Sequence, residues 1–153
     1  MRLLHISDLH IGKRVNEFSM IEDQKYILRQ ILAIADDQQA DGVMIAGDIY
    51  DKPVPSAEAV QVFDWFLTAL ADRGRQVYAV SGNHYSAERI AFGAQLMSGR
   101  GVFVSPVYQG ETAVFSVQDA YGELCIYLLP FVKPAVVRHA LEGAPDMDPN
   151  ASP

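Results

Sequence analysis

Three short apolar runs in the first two-thirds of the chain are each followed at once by a cluster of polar residues. The runs are residues 2–7, 42–46 and 76–81. Their length, their apolar character and the turn residues that end them are typical of buried β-strands. Stretches of helical length separate the runs, and this alternation predicts an α/β fold in which neighbouring strands are parallel.

The segments between the strands are predicted to be helices at residues 19–38, 56–72 and 86–97. Ser19 and Glu22 have the spacing of a capping box at the start of the first helix. Apolar residues recur at helical spacing on the faces that we expect to be buried. These residues are Ile27, Leu28, Ile31, Leu32 and Ala35 in the first helix and Val60, Phe63, Leu67 and Leu70 in the second.

The pattern of the chain changes after Gly101. Three strand-like segments follow, two of which are predicted to form a hairpin, and then a short helix and a tail without structure of its own. These segments are residues 102–104, 112–117 and 124–129 for the strands, 134–141 for the helix and 143–153 for the tail. The sequence therefore predicts one domain over residues 1–142.

Two single residues are predicted to be packed inside the protein. Cys125 is the single cysteine of the chain and lies in the apolar run 124–129. Since an unpaired cysteine usually behaves as a small hydrophobic residue, we expect it to be buried. His5 lies inside the first strand, and we expect a packed histidine there rather than a metal ligand.

The polar clusters hold the residue types that bind divalent metals. The clusters are Asp8-Leu9-His10, Gly47-Asp48-Ile49-Tyr50-Asp51 and Gly82-Asn83-His84. In open α/β sheets the loops at the carboxyl ends of the strands converge on the ligand site. We therefore expect Asp8, His10, Asp48, Asn83 and His84 to lie close together, with a donor set that suits Mn²⁺, Fe²⁺ or Zn²⁺.

The spacing of these residues fits a two-metal site. Residues two apart in extended backbone point the same way, so Asp8 and His10 can hold one ion together. Two ions about 3.5–4 Å apart can clamp a phosphate and activate a water, and His84 would then protonate the leaving oxygen. Each cluster alone is also typical of an ordinary turn. The three clusters together, each at the end of an apolar strand, are what favours the metal site.

The three clusters and their neighbours resemble a known family, the calcineurin-like metallophosphoesterases. The first three motifs of that family resemble residues 8–12, 47–51 and 82–84. Three further segments resemble the subfamily that supplies the nuclease subunit of bacterial SbcCD-type complexes, and the similarity runs to about residue 141. These segments are residues 5–13, 86–89 and 128–134. The resemblance implies a layered α/β metallophosphoesterase core.

The resemblance also implies an activity. It makes Asp8, His10, Asp48 and Asn83 the ligands of two divalent metal ions, foremost Mn²⁺, and His84 the catalytic histidine. The subfamily implies a cytoplasmic exonuclease and endonuclease of DNA repair and recombination that acts on DNA ends or hairpins. Its partner would be an SMC-like ATPase of the SbcC type, and a homodimer is among the assemblies that the resemblance allows.

The sequence departs from the family pattern in two places. The family's later histidine motifs, a single His and then Gly-His-x-His, would lie beyond residue 153. We therefore expect the N-terminal part of a longer enzyme, with weak metal binding and little activity alone. In addition, Tyr85 stands where the family usually has Asp. A phenol cannot favour the protonated imidazole as a carboxylate does, so His84 should be a weaker acid unless another group, such as Asp51, supports it.

The charge of the chain leaves other functions open. Twelve basic and nineteen acidic residues give a net charge of −7, which argues against a broad phosphate-binding surface. It does not exclude a nuclease, because metal ions bring positive charge of their own. The sequence has no signal peptide and no membrane-spanning run, so we expect a soluble protein. The alternatives are a phosphatase or small-molecule phosphodiesterase of the same family, and a non-catalytic module for dimerisation or partner docking.

Overall fold

The fold is built from short strands and two long helices, and the computed structural model describes it for residues 1–82 and 97–140. The elements in chain order are β1 (Leu3–Ser7), β2 (Arg14–Val15), β3 (Phe18–Ser19), α1 (Ile21–Asp37), β4 (Gly42–Ala46), α2 (Ala57–Asp72), β5 (Gln76–Ala79), β6 (Val102–Val104), β7 (Ala113–Asp119), β8 (Gly122–Leu128) and α3 (Pro134–Ala140).

The centre of the fold is a four-stranded parallel sheet with the strand order β1-β4-β5-β6. Ile6 pairs with Ile45 and Ile45 with Ala79, so the three predicted strands end at the same edge of the sheet. The crossovers run through α1 and α2. The α/β architecture with a parallel sheet is therefore confirmed, and β6 extends this sheet.

Helices α1 and α2 cover one face of the sheet with a narrower apolar stripe than the sequence predicted. Ile27 is 53% exposed and Val60 is 43% exposed, so their predicted burial is wrong. Each lies one residue away from a buried one, Ile27 before Leu28 and Val60 after Ala59, and one residue turns a helix by about 100°. The stripes themselves are buried, namely Ile21, Leu28, Leu32 and Ala35 on α1 and Ala59, Val62, Phe63, Phe66, Leu67 and Leu70 on α2.

The two helices begin in different ways. Helix α2 has Ser56 as its N-cap, and the Ser56 Oγ accepts a hydrogen bond from the Ala59 N–H at 3.2 Å. Helix α1 has Met20 as its N-cap and no side-chain cap. The predicted capping box is wrong because Ser19 pairs with Arg14 in the small β2–β3 hairpin, one residue too early to cap the helix.

Strands β7 and β8 form a separate antiparallel hairpin, which confirms the predicted pairing of the second and third strand-like segments. One face packs on the central sheet, where Tyr78, Ile126 and Leu128 are buried. Side chains alternate along a strand, so Cys125, which precedes Ile126, lies on the outer face and is exposed. Its predicted burial is therefore wrong.

His5 is also exposed, contrary to the prediction of a packed histidine. It lies on β1, which is an edge strand of the central sheet. Leu4 and Ile6, its neighbours, turn their side chains to the main core instead. Among the described residues no helix combines the length and the apolar character that crossing a membrane requires.

Two predicted segments fall outside the described residues. The predicted helix 86–97 is described only at residue 97, which is helical and is followed by a turn that leads into β6. The predicted tail 143–153 lies wholly outside, so the domain limits 1–142 stay a prediction. Helix α3 begins at Pro134, as the sequence predicted.

Candidate metal centre

The loops that follow β1 and β4 run side by side, because the hydrogen bonds of the parallel ladder continue past both strands. The Asp8 N–H donates to the Ala46 carbonyl at 3.0 Å, and the His10 N–H donates to the Asp48 carbonyl at 2.9 Å. Ile11 then forms an isolated parallel bridge with Tyr50. The two loops are therefore fixed against each other along their length.

The backbone of these loops turns into the left-handed region at three positions. Asp8 has a φ of 54°, His10 a φ of 43° and Gly47 a φ of 84°. Left-handed backbone costs about 1–2 kcal/mol for a residue with a side chain. The prediction that extended backbone aligns Asp8 and His10 is therefore wrong. Two left-handed residues with Leu9 between them bring the side chains together instead.

The side chains of Asp8, His10 and Asp48 meet where the two loops run together. Each offers one ligand atom, a carboxylate oxygen or an imidazole nitrogen, and these atoms all lie within 4.8 Å of one another. Asp48 is buried, with 7% of its surface exposed, whereas Asp8 is open to solvent. The sequence predicted this convergence, and the structure shows it for these three residues.

A hydrogen bond joins the two acidic residues. The Asp48 N–H donates to the Asp8 Oδ1 at 3.3 Å. This bond, with a further one from the Ser7 side chain, holds the pKa of the Asp8 carboxyl below its usual value. Asp8 is therefore a carboxylate at neutral pH, as a metal ligand must be.

Two glycines make room for the carboxylates. A Cβ on Gly47 would lie 2.5 Å from the Asp8 Oδ1, and a Cβ on Gly82 would collide with the Asp48 Oδ1. Any side chain at either position would push an acidic group out of place. The residues present thus fit a divalent cation, since two carboxylates and an imidazole converge in space that only glycine leaves open.

Asp51 belongs to the same cluster, although the sequence suggested a different role for it. Its Oδ1 lies 3.7 Å from the His10 Nδ1, with both side chains about one-quarter exposed. A carboxylate beside one ring nitrogen orients a histidine so that the other nitrogen is available to a ligand. Asp51 faces His10 here, and its predicted support of His84 is not tested.

Three residues of the predicted site lie outside the described residues. These are Asn83 and His84, which were expected as ligand and catalytic histidine, and Tyr85. Gly82, the residue before them, lies beside Asp48. The roles of Asn83, His84 and Tyr85 stay predictions from the sequence.

Comparison with known proteins gives two matches that cover most of the chain. Residues 1–131 match the family described as calcineurin-like phosphoesterase. The chain is also similar to SbcD, the nuclease subunit of SbcCD from Bacillus subtilis (strain 168), with 31% identity over 147 residues, which is 95% of this chain. The chain spans 38% of the length of that relative.

Proposed function

This chain belongs to the calcineurin-like phosphoesterase family, and on that premise we propose that it forms the N-terminal part of the catalytic domain of a Mn²⁺-dependent DNA nuclease subunit. The family consists of metal-dependent hydrolases. The domain is proposed to extend over residues 1–142. The observation that carries the proposal is the meeting of Asp8, His10 and Asp48 at the ends of two parallel strands.

The proposed ligands are Asp8, His10, Asp48 and Asn83. Asp8 and Asp48 carry negative charges close together, and a divalent cation between them would remove their mutual repulsion. Asn83 is proposed to add a neutral amide oxygen. Fe²⁺ and Zn²⁺ suit the same donor set as Mn²⁺.

The proposed reaction is the hydrolysis of a phosphodiester bond by two metal ions. Two such ions, when bound, polarise the phosphate oxygens and make a hydroxide available at neutral pH. His84 is proposed to donate a proton to the leaving oxygen. His10 has a different part, because Asp51 orients its ring for metal binding.

The substrates and partners are proposed from the Bacillus subtilis relative. That protein is a nuclease and one subunit of a complex. We therefore propose DNA ends or hairpins as substrate, an SMC-like ATPase of the SbcC type as partner, a homodimer of the nuclease subunit, and a role in DNA repair and recombination in the cytoplasm.

The metal site is tested by titrating this chain with Mn²⁺ and following the free ion by electron paramagnetic resonance. We expect saturable, weak binding that is abolished by Asp48→Asn, which keeps the shape of the side chain but removes its charge. The matched control is Asp64→Asn, which removes one charge from an exposed position on α2. Equal binding by Asp48→Asn and the unaltered chain would overturn the site.

The substrate class is tested in a hybrid protein in which this chain replaces the matching segment of the Bacillus subtilis relative. A DNA hairpin and a chromogenic phosphodiester are offered separately with Mn²⁺. We expect cleavage of the hairpin, and its loss in the Asp48→Asn and His84→Ala hybrids. Hydrolysis of the chromogenic ester alone would favour a small-molecule phosphodiesterase.

A further inference from the structure

The side chain of Gln24 reaches from α1 to the loop that carries Asp8 and His10. Its Nε2 donates to the His10 carbonyl at 2.7 Å and to the Leu9 carbonyl at 3.3 Å. Its Oε1 accepts from the Gly12 N–H at 2.9 Å. One half-buried amide therefore serves three backbone groups within four consecutive residues of the loop.

Only a glutamine-like amide can make this set of bonds. The loop presents two carbonyl acceptors on one side and an N–H donor on the other, and an amide has both complementary groups at its end. A carboxylate would turn an acceptor towards the two carbonyls, and an aliphatic side chain would leave all three groups without this partner. The pattern is thus specific to the residue at position 24.

The loop needs such a tether because its backbone is strained. Asp8 and His10 both have left-handed φ values although neither is glycine, and Gly12 has a φ of 90°. Conformations of this kind persist when surrounding contacts determine them. The ladder to Ala46 and Asp48 holds one side of the loop, and Gln24 holds the other side.

From these contacts we propose that Gln24 is a positioning residue of the metal centre. Its amide keeps the backbone of residues 9–12 in the conformation that aims the Asp8 and His10 side chains at Asp48. The proposal rests on the proposed function in so far as the positioned groups are metal ligands. Gln24 itself is not a ligand, because its amide is engaged with the backbone.

The test compares two matched variants of this chain, Gln24→Met and Gln30→Met. Methionine keeps the length of the side chain and removes its hydrogen bonds, and Gln30 is an exposed residue of the same helix. In Mn²⁺ titrations we expect Gln24→Met to bind about tenfold more weakly or worse, which is the usual effect of losing a group that orients metal ligands. Gln30→Met should bind as the unaltered chain does.

A thermal melt of each variant separates positioning from a merely structural role. If Gln24→Met binds Mn²⁺ as tightly as Gln30→Met while its melting temperature falls, the positioning role is overturned. If Gln24→Met does not fold, Gln24→Glu is measured instead, because it keeps the size of the side chain. Its added charge favours a cation, so weaker binding by Gln24→Glu supports the proposal and equal or tighter binding overturns it.

A second measurement needs no metal and keeps this proposal distinct from the proposed function. Amide hydrogen exchange reports whether the Gly12 N–H is protected in the metal-free chain. We expect faster exchange at Gly12 in Gln24→Met than in Gln30→Met. If the unaltered chain binds no Mn²⁺, the proposed metal site falls, and the exchange rate at Gly12 alone decides whether Gln24 holds the loop. Equal exchange in both variants would overturn the tether.

Discussion

The backbone N–H of Asp48 donates a hydrogen bond to the carboxylate of Asp8, so the acidic residue after β4 fixes the acidic residue after β1. The bond is 3.3 Å long and joins residues forty positions apart in the sequence. It places one negative charge beside a buried second one and orients an oxygen of Asp8 in the process. The glycines around this pair are as important for the site as the acidic residues themselves.

Gly47→Ala is expected to weaken metal binding as well as stability. Its left-handed φ of 84° makes any side chain unfavourable by about 1–2 kcal/mol, and the new methyl group would displace the Asp8 Oδ1. Gly74→Ala is the matched control, with a φ of 69° and open space around its Cβ. Denaturant unfolding should show a loss in both variants, and Mn²⁺ titration a loss in Gly47→Ala only. A similar Mn²⁺ affinity in both would contradict the close approach of Gly47 to Asp8.

Asp119→Asn is expected to change the pH dependence of stability. The Asp119 Oδ2 lies 2.5 Å from the Met1 ammonium group. This pairing lowers the pKa of Asp119 below its ordinary 3.8 and raises the pKa of the ammonium above 8.0. The pair therefore stabilises the fold fully between these values. Its contribution is lost as the pH falls through the lowered pKa of Asp119 or rises through the raised pKa of the ammonium.

Melting temperatures measured from about pH 3 to about pH 10 test this dependence. The difference between the unaltered chain and Asp119→Asn should be largest near neutral pH and should shrink at both ends. Glu123→Gln, an exposed change on the same hairpin, is the control and should show no such window. A constant difference across the range would mean that the ion pair does not form in solution.

Phe115→Ala is expected to loosen the β7–β8 hairpin from the central sheet. The Phe115 ring lies 4.7 Å from the Phe103 ring and 6.4 Å from the Tyr78 ring, measured between centroids. We expect a loss of about 2 kcal/mol in the free energy of unfolding, less than for a fully buried phenylalanine because Phe115 is half-buried. Tyr121→Ala, at a position 94% exposed, should change it by less than about 0.5 kcal/mol.

A double-mutant cycle with Phe103→Ala extends this measurement. A coupling of about 0.5–1.5 kcal/mol is expected for two aromatic rings in contact. Additive effects of the two substitutions would show that the hairpin is held by other contacts.

Tyr85→Asp is expected to raise the turnover of the hybrid nuclease. A carboxylate next to His84 in sequence favours the protonated imidazole, and a phenol carries no charge to do so at neutral pH. In the pH–rate profile, the range in which His84 acts as an acid should therefore extend to higher pH. Tyr85→Asn, which is polar and uncharged, is the control. An unchanged profile in Tyr85→Asp would mean that another group supports the histidine.

The sequence predicted the parts of this protein that depend on periodicity and on strand ends. The strands that carry the polar clusters, their parallel order and the convergence of Asp8, His10 and Asp48 all follow from apolar runs and from the geometry of parallel sheets. The start of α2 was recognisable because Ser56 caps it directly.

The sequence did not predict features that depend on tertiary surroundings. The predicted burial of Cys125 was wrong because an apolar run does not reveal that a hairpin is covered on one face only. The left-handed turns at Asp8 and His10 have no signal of their own, since neither residue is glycine. The role of Gln24 was missed for the same reason, because a glutamine in the first turns of a helix carries no signal until the loop beside it is known.

The continuous ladder between the two loops has a thermodynamic consequence. Folding alone brings the Asp8 and Asp48 carboxylates together, because the bonds from Asp8 and His10 to β4 and its loop need no ion. The electrostatic repulsion between the carboxylates is therefore part of the folding free energy of the apo protein. A cation that binds there relieves this repulsion only in the native state, so by linkage every gain in affinity is also a gain in resistance to unfolding.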